Sequence, residues 1–388
     1  MELCGFSADV NGLKALSSEL DTRIKSLESE IYSLVGYEFN LNSPKQLGTA
    51  LFEKLGLPAK KKTKSGYSTG AEVLEGLKNE HPAVSLLLNY RQLAKLKSTY
   101  ADGLQDCIAE DGRIHSTFNQ TEARTGRISS LEPNLQNIPV RTAEGRRLRE
   151  YFNAPAGRVL CDADYSQIEL RVLASMSGDA NMINAFGSGT DIHTVTASQV
   201  FGLPQDMITP ELRSRAKAVN FGIVYGIGAF SLSKDIGVTR AEADRYIKSY
   251  LAAYPDVAAY MEKAIENAKK NGYVTTLYGR RRYIPELSNS NGNMRAFGER
   301  VARNAPIQGT AADIIKIAMI KVSRSLKDEF PTARLILQVH DELIVECDEK
   351  DAEGVCALLE REMESAADLA VRLTAEAHFG KTWLEAKA

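Results

Sequence analysis

Leu13, Leu16, Leu20, Ile24, Leu27, Ile31 and Leu34 recur at three- and four-residue steps, a period that predicts a long amphipathic helix over residues 12–35. A second helical stretch is predicted from Ala71 to Leu104, and the lysine-rich segment Ala59 to Gly70 between them reads as a flexible basic loop. From Gly112 to Pro139 the chain is polar, broken by Gly, Ser, Asn and Pro, with short extended pieces. An apolar strand is predicted at Arg158 to Ala163, mainly helix from Thr190 to Asn271, and a long helix from Ala296 to Leu326 with a kink at Pro306. Arg334 to Val339 and Leu343 to Cys347 are β-rich runs joined at His340-Asp341-Glu342, the spacing of a hairpin. No internal repeat is visible. Helices at both flanks with strands between them predict an α+β architecture.

The chain of 388 residues is long enough for two or three subdomains. Its 44% hydrophobic and 25% charged residues match an ordinary globular protein. No apolar run reaches the length of a membrane span, since Lys316 interrupts Ile314 to Ile320. Met1 to Val10 lacks the basic-then-apolar order of a signal peptide, so a cytoplasmic setting is expected. Five cysteines without close pairs point to reduced thiols and away from a zinc site. A net charge of −2 does not advertise nucleic-acid binding. Local clustering matters more for phosphate contact, and Lys60, Lys61, Lys62 and Lys64, then Arg141, Arg146, Arg147 and Arg149, then Arg280, Arg281 and Arg282 supply it. Any one cluster alone is more economically a solvated surface.

Two acidic positions stand at strand ends. Asp164 follows the strand ending at Ala163, and Asp341 sits at the hairpin tip with Glu342 beside it. Rigidly held carboxylates suit hard cations such as magnesium, and two such ions about 4 Å apart can clamp an in-line phosphoryl displacement. The competing reading is a helix N-cap and a turn residue, which spacing alone favours. Thr209-Pro210-Glu211 opens a helix that is expected to run to about Gly226. Along it Arg213, Lys217, Phe221 and Tyr225 recur every four residues, a stripe of roughly 18 Å. Two cations followed by two rings match a nucleoside triphosphate, and Asn220, Gly222 and Gly226 are small enough to leave room for a flat ligand. A salt-bridged face running into an aromatic core is the plainer alternative.

The segments Asp164 to Arg171, Arg213 to Gly226 and Gln338 to Glu342 together resemble the three polymerase motifs of family A DNA polymerases. Thr125-Gly126-Arg127, Asn134 to Pro139, Asp191-Ile192-His193, Asn304 to Asp313 and Gly380 to Trp383 extend the likeness over essentially the whole chain in order. The resemblance implies a right-hand fold: thumb 1–112, palm 113–178 with 296–388, and fingers 179–295. It implies addition of nucleotides from dNTPs to a primer on template DNA by a monomer, with two Mg2+ ions for which Mn2+ can substitute. By the same resemblance Asp164, Asp341 and the Tyr165 backbone carbonyl hold metal, and Glu342 is a supporting carboxylate. Arg213, Lys217 and His193 would meet the phosphates, Phe221 the deoxyribose, Tyr225 the template side, and Gln167 the nucleotide. Glu169 would exclude a 2′-hydroxyl. Arg127, Gln136, Asn137, Arg300, Asn304, Gln308 and His340 would contact DNA, where minor-groove acceptors are common to every correct pair.

Met1 to Phe6 resembles a point already inside the thumb, past the exonuclease domains of full-length relatives, so proofreading is not expected. A single-subunit RNA polymerase shares the palm and the striped helix; Glu169 argues against it, and ribonucleotide incorporation would favour it. A DNA-binding module without catalysis is the alternative from another class. Retention of Asp164, Asp341, Arg213 and Lys217 argues against that reading, and DNA binding without nucleotide addition would favour it.

Overall fold

A computed structural model describes residues 1–388 except 60, 61, 64, 65, 141 and 388, with backbone alone at 62 and 63. The apolar stripe near the N-terminus is a helix, Val10–Val35, started by the Asp9 carboxylate accepting from the Gly12 N–H at 3.0 Å. Its buried Leu13, Leu16, Leu20, Ile24, Leu27 and Ile31 pack against the helix Pro82–Lys95. Each fully buried leucine contributes about 1.5–3 kcal/mol, so this stripe alone gives the region a core. The second predicted stretch is not continuous. A short helix, Ala71–Glu75, stops at Gly76, and the chain restarts at Pro82 under a His81 cap before a π-helical turn over Leu96–Asp102. Proline supplies no N–H and suits a first turn, which is why the restart falls there.

Four antiparallel strands form the central sheet: β1 (Arg158–Tyr165), β2 (Arg334–Val339), β3 (Glu342–Asp348) and β4 (Ala375–Gly380), in the spatial order β2-β3-β1-β4. Side chains alternate across it, and each face has its own core. Val159, Cys161 and Ala163 join the core built with the helices Gly292–Glu329 and Ala352–Glu364, while Leu160, Leu337 and Ile344 join the core of the N-terminal helices with Phe6, Phe152 and Trp383. The sheet is thus a wall between two apolar masses.

The long helix spans 38 residues and contains Pro306 without ending there. Residues 190–271 form five helices, among them Ile192–Phe201, Pro210–Val224 and Pro255–Asn271. These share the first core with the sheet through Val195, Val219, Ile223 and Tyr250. Among the described residues no helix is long and apolar enough to cross a membrane.

The basic clusters fare unevenly. Lys60, Lys61, Lys64 and Arg141 lie outside the described residues, as does the Lys62 side chain, so the expectation of a flexible basic loop falls largely there. Arg147 is paired with Glu19, and Arg149 is buried with its guanidinium 4.3 Å from the centre of the Trp383 ring. Those two arginines are therefore not free to bind phosphate. Arg280 is likewise tied to Asp313 at 2.7 Å.

Candidate active site

Asp164 does not follow the strand but is its penultimate residue, paired with Glu342 of β3 on one side and Glu376 of β4 on the other. The hairpin closes tightly: Val339 pairs with Glu342, leaving His340 and Asp341 as the two-residue loop. His340 takes φ 52°, the left-handed region that such turns need at a central position. The Tyr165 N–H donates to the Asp341 carbonyl at 3.2 Å, which fastens the loop to the end of β1. Register and turn together bring the two aspartates into one place, which spacing along the chain could not show.

Both carboxylates are underused. Asp164 Oδ1 is buried and has no hydrogen-bond partner among the described residues. Burial, and then the Asp164 charge, push the Asp341 carboxyl up to about 7. Two acids that resist sharing their charge, one with an oxygen left bare, form a donor set suited to a hard cation. A cleft of about 400 Å³ is lined by Asp164, Tyr165, Asp341 and His340 from the sheet, by Gln167, Ile168 and Glu169 from the next turn, and by Arg127, Phe221 and Tyr225. Gln167, at φ 56°, turns the chain from β1 into the helix Ile168–Ser177, and its Oε1 is buried and unpartnered. Glu169 is 6% exposed: its Oε1 accepts from Arg127 at 2.7 Å while Oε2 has no partner.

The striped helix is Pro210–Val224, capped by the Thr209 hydroxyl, with Tyr225 as its last half-turn and Gly226 at φ 67°. Phe221 and Tyr225 stack at 6.3 Å and 16°, and the Lys217 ammonium lies 5.9 Å from the Phe221 ring. The room that Gly222 was expected to leave for a ligand is taken. A Cβ there would sit 2.5 Å from Ile227 Cγ2, so this glycine lets the chain fold back over the helix end. Arg213 is not free either, because it grips Asp191 through two bonds of 2.8 and 2.9 Å. Burial pushes the Asp191 carboxyl up, but Arg213 and the Thr194 N–H and hydroxyl outweigh it and hold Asp191 at about 2.

His193 is fully buried. The Asn220 side-chain amide donates to its Nδ1 at 3.0 Å, which places the imidazole proton on Nε2, and Nε2 has no partner. Burial, aided by the Lys217 and Arg213 charges, lowers its pKa to about 4, so it is a neutral donor at pH 7. Arg300 faces the other side of Phe221 and Tyr225, and Asn304 and Gln308 lie half-buried further along the same long helix. Gln136 is committed within the protein: its Nε2 donates to Gln338 and its Oε1 accepts from Ser130. Asn137 offers its carbonyl to the Tyr100 hydroxyl at 2.6 Å.

Four site residues escaped the sequence reading. Asp162 lies on the Asp164 face of β1 by strict alternation, 2% exposed, and two-residue periodicity from Asp164 would have found it. Burial and the neighbouring Glu342 push its carboxyl up to about 9. Trp383 donates from Nε1 to Glu342 Oε1 at 2.9 Å and Asp162 Oδ2 at 3.2 Å. Lys387 reaches Glu342 Oε2 at 2.7 Å and Asp164 Oδ2 at 2.9 Å. Asp191 was visible only as the neighbour of His193. Nothing local in the sequence marks Trp383 or Lys387 as partners of strand residues more than forty positions away.

A carboxylate at a strand end and another on the adjoining hairpin turn thus face a helix of cations and rings across one cleft. The sequence profile of DNA polymerase family A matches residues 10–385, and the chain belongs to that family. DNA polymerase I of Geobacillus stearothermophilus is 50% identical over all of this chain and 44% of its own length. DNA polymerase I of Bacillus subtilis is 51% identical, again over 44% of its length, so the chain spans a little under half of these relatives. A solved structure described as the POL domain of Pol1 from M. smegmatis, in complex with DNA primer-template and dNTP, is 45% identical. It superposes with a TM-score of 0.93 over 99% of this chain and 68% of that one. The α+β right-hand expectation agrees with that likeness.

Proposed function

We propose that this chain adds deoxynucleoside monophosphates from dNTPs to a primer 3′ end on a DNA template, acting as a monomer. The observation that carries the reading is the cleft joining Asp164 and Asp341 to Glu169, Phe221 and Tyr225, complete within one chain. The helices of 1–112 share a core with one face of the sheet and those of 179–295 share another with its other face, which supports reading 1–112 as a thumb, with 113–178 and 296–388 as palm and 179–295 as fingers.

Asp164 Oδ1, Asp341 and the Tyr165 carbonyl would hold two Mg2+ ions, with Mn2+ as a substitute. When bound, such ions lower the pKa of the primer hydroxyl and neutralise charge on the triphosphate. The chain's own groups do the positioning. Arg213, on leaving Asp191, and Lys217 take the outer phosphates and the Nε2–H of His193 donates to them, so the departing pyrophosphate meets three donors. Phe221 packs on the deoxyribose, with Gln167 at the nucleotide's edge. Glu169, fixed by Arg127, fills the space a 2′-hydroxyl would need. Tyr225 closes the template side, and Arg300, Asn304, Gln308 and His340 face the nascent duplex. Gln136 braces this wall, because its side-chain amide is already spent inside the protein, and the exposed Asn137 side chain faces the DNA.

The test is extension of a labelled primer–template by the purified chain, with each dNTP singly and with a mismatched primer terminus. Templated addition without removal of the mismatch is expected. DNA binding with no addition would replace this reading by that of a silent binding module, and ribonucleotide addition at equal rate would favour an RNA polymerase.

A further inference from the structure

The β-register sets Glu342 directly opposite Asp164, where a third metal-ligating acid would be expected. Both its oxygens are already taken. Oε1 accepts from Trp383 and Oε2 from Lys387, while the same ammonium holds Asp164 Oδ2 and lies 3.8 Å from Asp162 Oδ1. One cation therefore lies within 4 Å of three acids, with Asp164 Oδ1 left without a hydrogen-bond partner among the described residues. Its position is not that of a loose tail. Lys387 follows the short helix Trp383–Ala386, whose tryptophan is fully buried against Phe6 and Phe152, with Arg149 over its ring.

We propose that Lys387 is a positioning residue that keeps Glu342 out of the metal-ligand set and holds Asp164 by one oxygen. The cations are thereby left to Asp164 Oδ1 and Asp341. The inference rests on the metal reading given under the proposed function. An ammonium paired to a carboxylate competes with any divalent ion for it. Replacing it by a neutral side chain leaves Glu342 buried and charged with only the Trp383 N–H to meet it, which is costly until a cation arrives. Removing Lys387 should thus tighten divalent binding, the opposite of what loss of a merely structural contact would do.

The experiment measures free Mn2+ by electron paramagnetic resonance, titrated into the whole chain with a dideoxy-terminated primer–template, so that no turnover occurs. Lys387→Met should lower the apparent Kd for Mn2+ by roughly tenfold. Adding Glu342→Gln should return it to the wild-type value, and Lys387→Arg should leave it there. Unchanged or weaker Mn2+ binding by folded Lys387→Met overturns the proposal. If that variant does not fold, Glu342→Gln alone decides: Mn2+ affinity within about twofold of wild type supports it, and a larger loss overturns it. Asp164→Asn separates the two layers. Mn2+ binding that survives this change removes the metal reading itself, whereas its loss leaves the Lys387 variants to speak for the positioning role alone.

Discussion

The two halves of the site are built on different principles. On the proposed palm side, strand pairing and a two-residue turn hold Asp164, Asp162 and Glu342 in fixed register, the last two buried, with Trp383 and Lys387 clamping them. On the fingers side, one exposed face of one helix carries Arg213 and Lys217, and Arg213 is parked on Asp191 at the surface. Sheet register cannot drift without flipping every side chain, so the palm is set before any ligand arrives. Arg213 must leave Asp191 to meet a phosphate. Preorganised charge and exchangeable charge therefore face each other across the cleft, and the first should tolerate change far less than the second.

Asp341→Asn probes that intolerance most severely. Primer extension should fall by on the order of a thousandfold or more while duplex binding, read by mobility shift, stays near wild type. Extension at a tenth of the normal rate would mean that Asp341 is a turn residue and that the palm is less exacting than its rigidity suggests. Phe221→Tyr tests the facing ring. A hydroxyl added where the substrate 3′-hydroxyl lies should raise dideoxynucleotide use by roughly tens-fold, the worth of one well-placed hydrogen bond. Unchanged discrimination would detach Phe221 from the sugar.

Most of this was legible in the sequence, and the reasons differ by region. The Thr209-Pro210-Glu211 start with a four-residue stripe found the helix Pro210–Val224, and apolar periodicity found Val10–Val35 and the hairpin strands. It overran at residues 76–81, where a helical apolar pattern continues through a turn that only Pro82 betrays. Asp164 and Asp341 were marked by position. Their meeting, however, is a property of strand order, which the resemblance supplied and the residues alone did not. The ion pair of Arg213 with Asp191, the filling of Gly222 by Ile227 and the Lys387 clamp are tertiary contacts without a local signature.

The halves also titrate in opposite senses. His193 has its pKa lowered from 6.5 to about 4, chiefly by burial. The unfolded chain takes up a proton near pH 6.5 that the folded fingers refuse until about pH 4. Its share of stability is therefore present above pH 6.5 and lost as pH falls through that window. Urea unfolding of His193→Gln should be less sensitive to that change than wild type by about 2 kcal/mol between pH 7.5 and 4.5. Parallel curves would show that His193 is solvated rather than held neutral.

The smallest effect falls on the exchange itself. The Arg213–Asp191 pair is bidentate but exposed, with side chains 46% and 38% accessible, so breaking it costs under about 1 kcal/mol. Asn at 191 keeps a side-chain oxygen to cap the helix Ile192–Phe201, so the substitution removes the charge and spares the fold. With its competitor gone, Arg213 should meet the triphosphate more readily: KM for dNTP should fall by about threefold at low salt, with kcat unchanged, and the gain should fade as salt is raised. A rise in KM would reverse the argument. Asp191 would then orient Arg213 for the phosphate instead of withholding it, and the fingers would prove as preorganised as the palm.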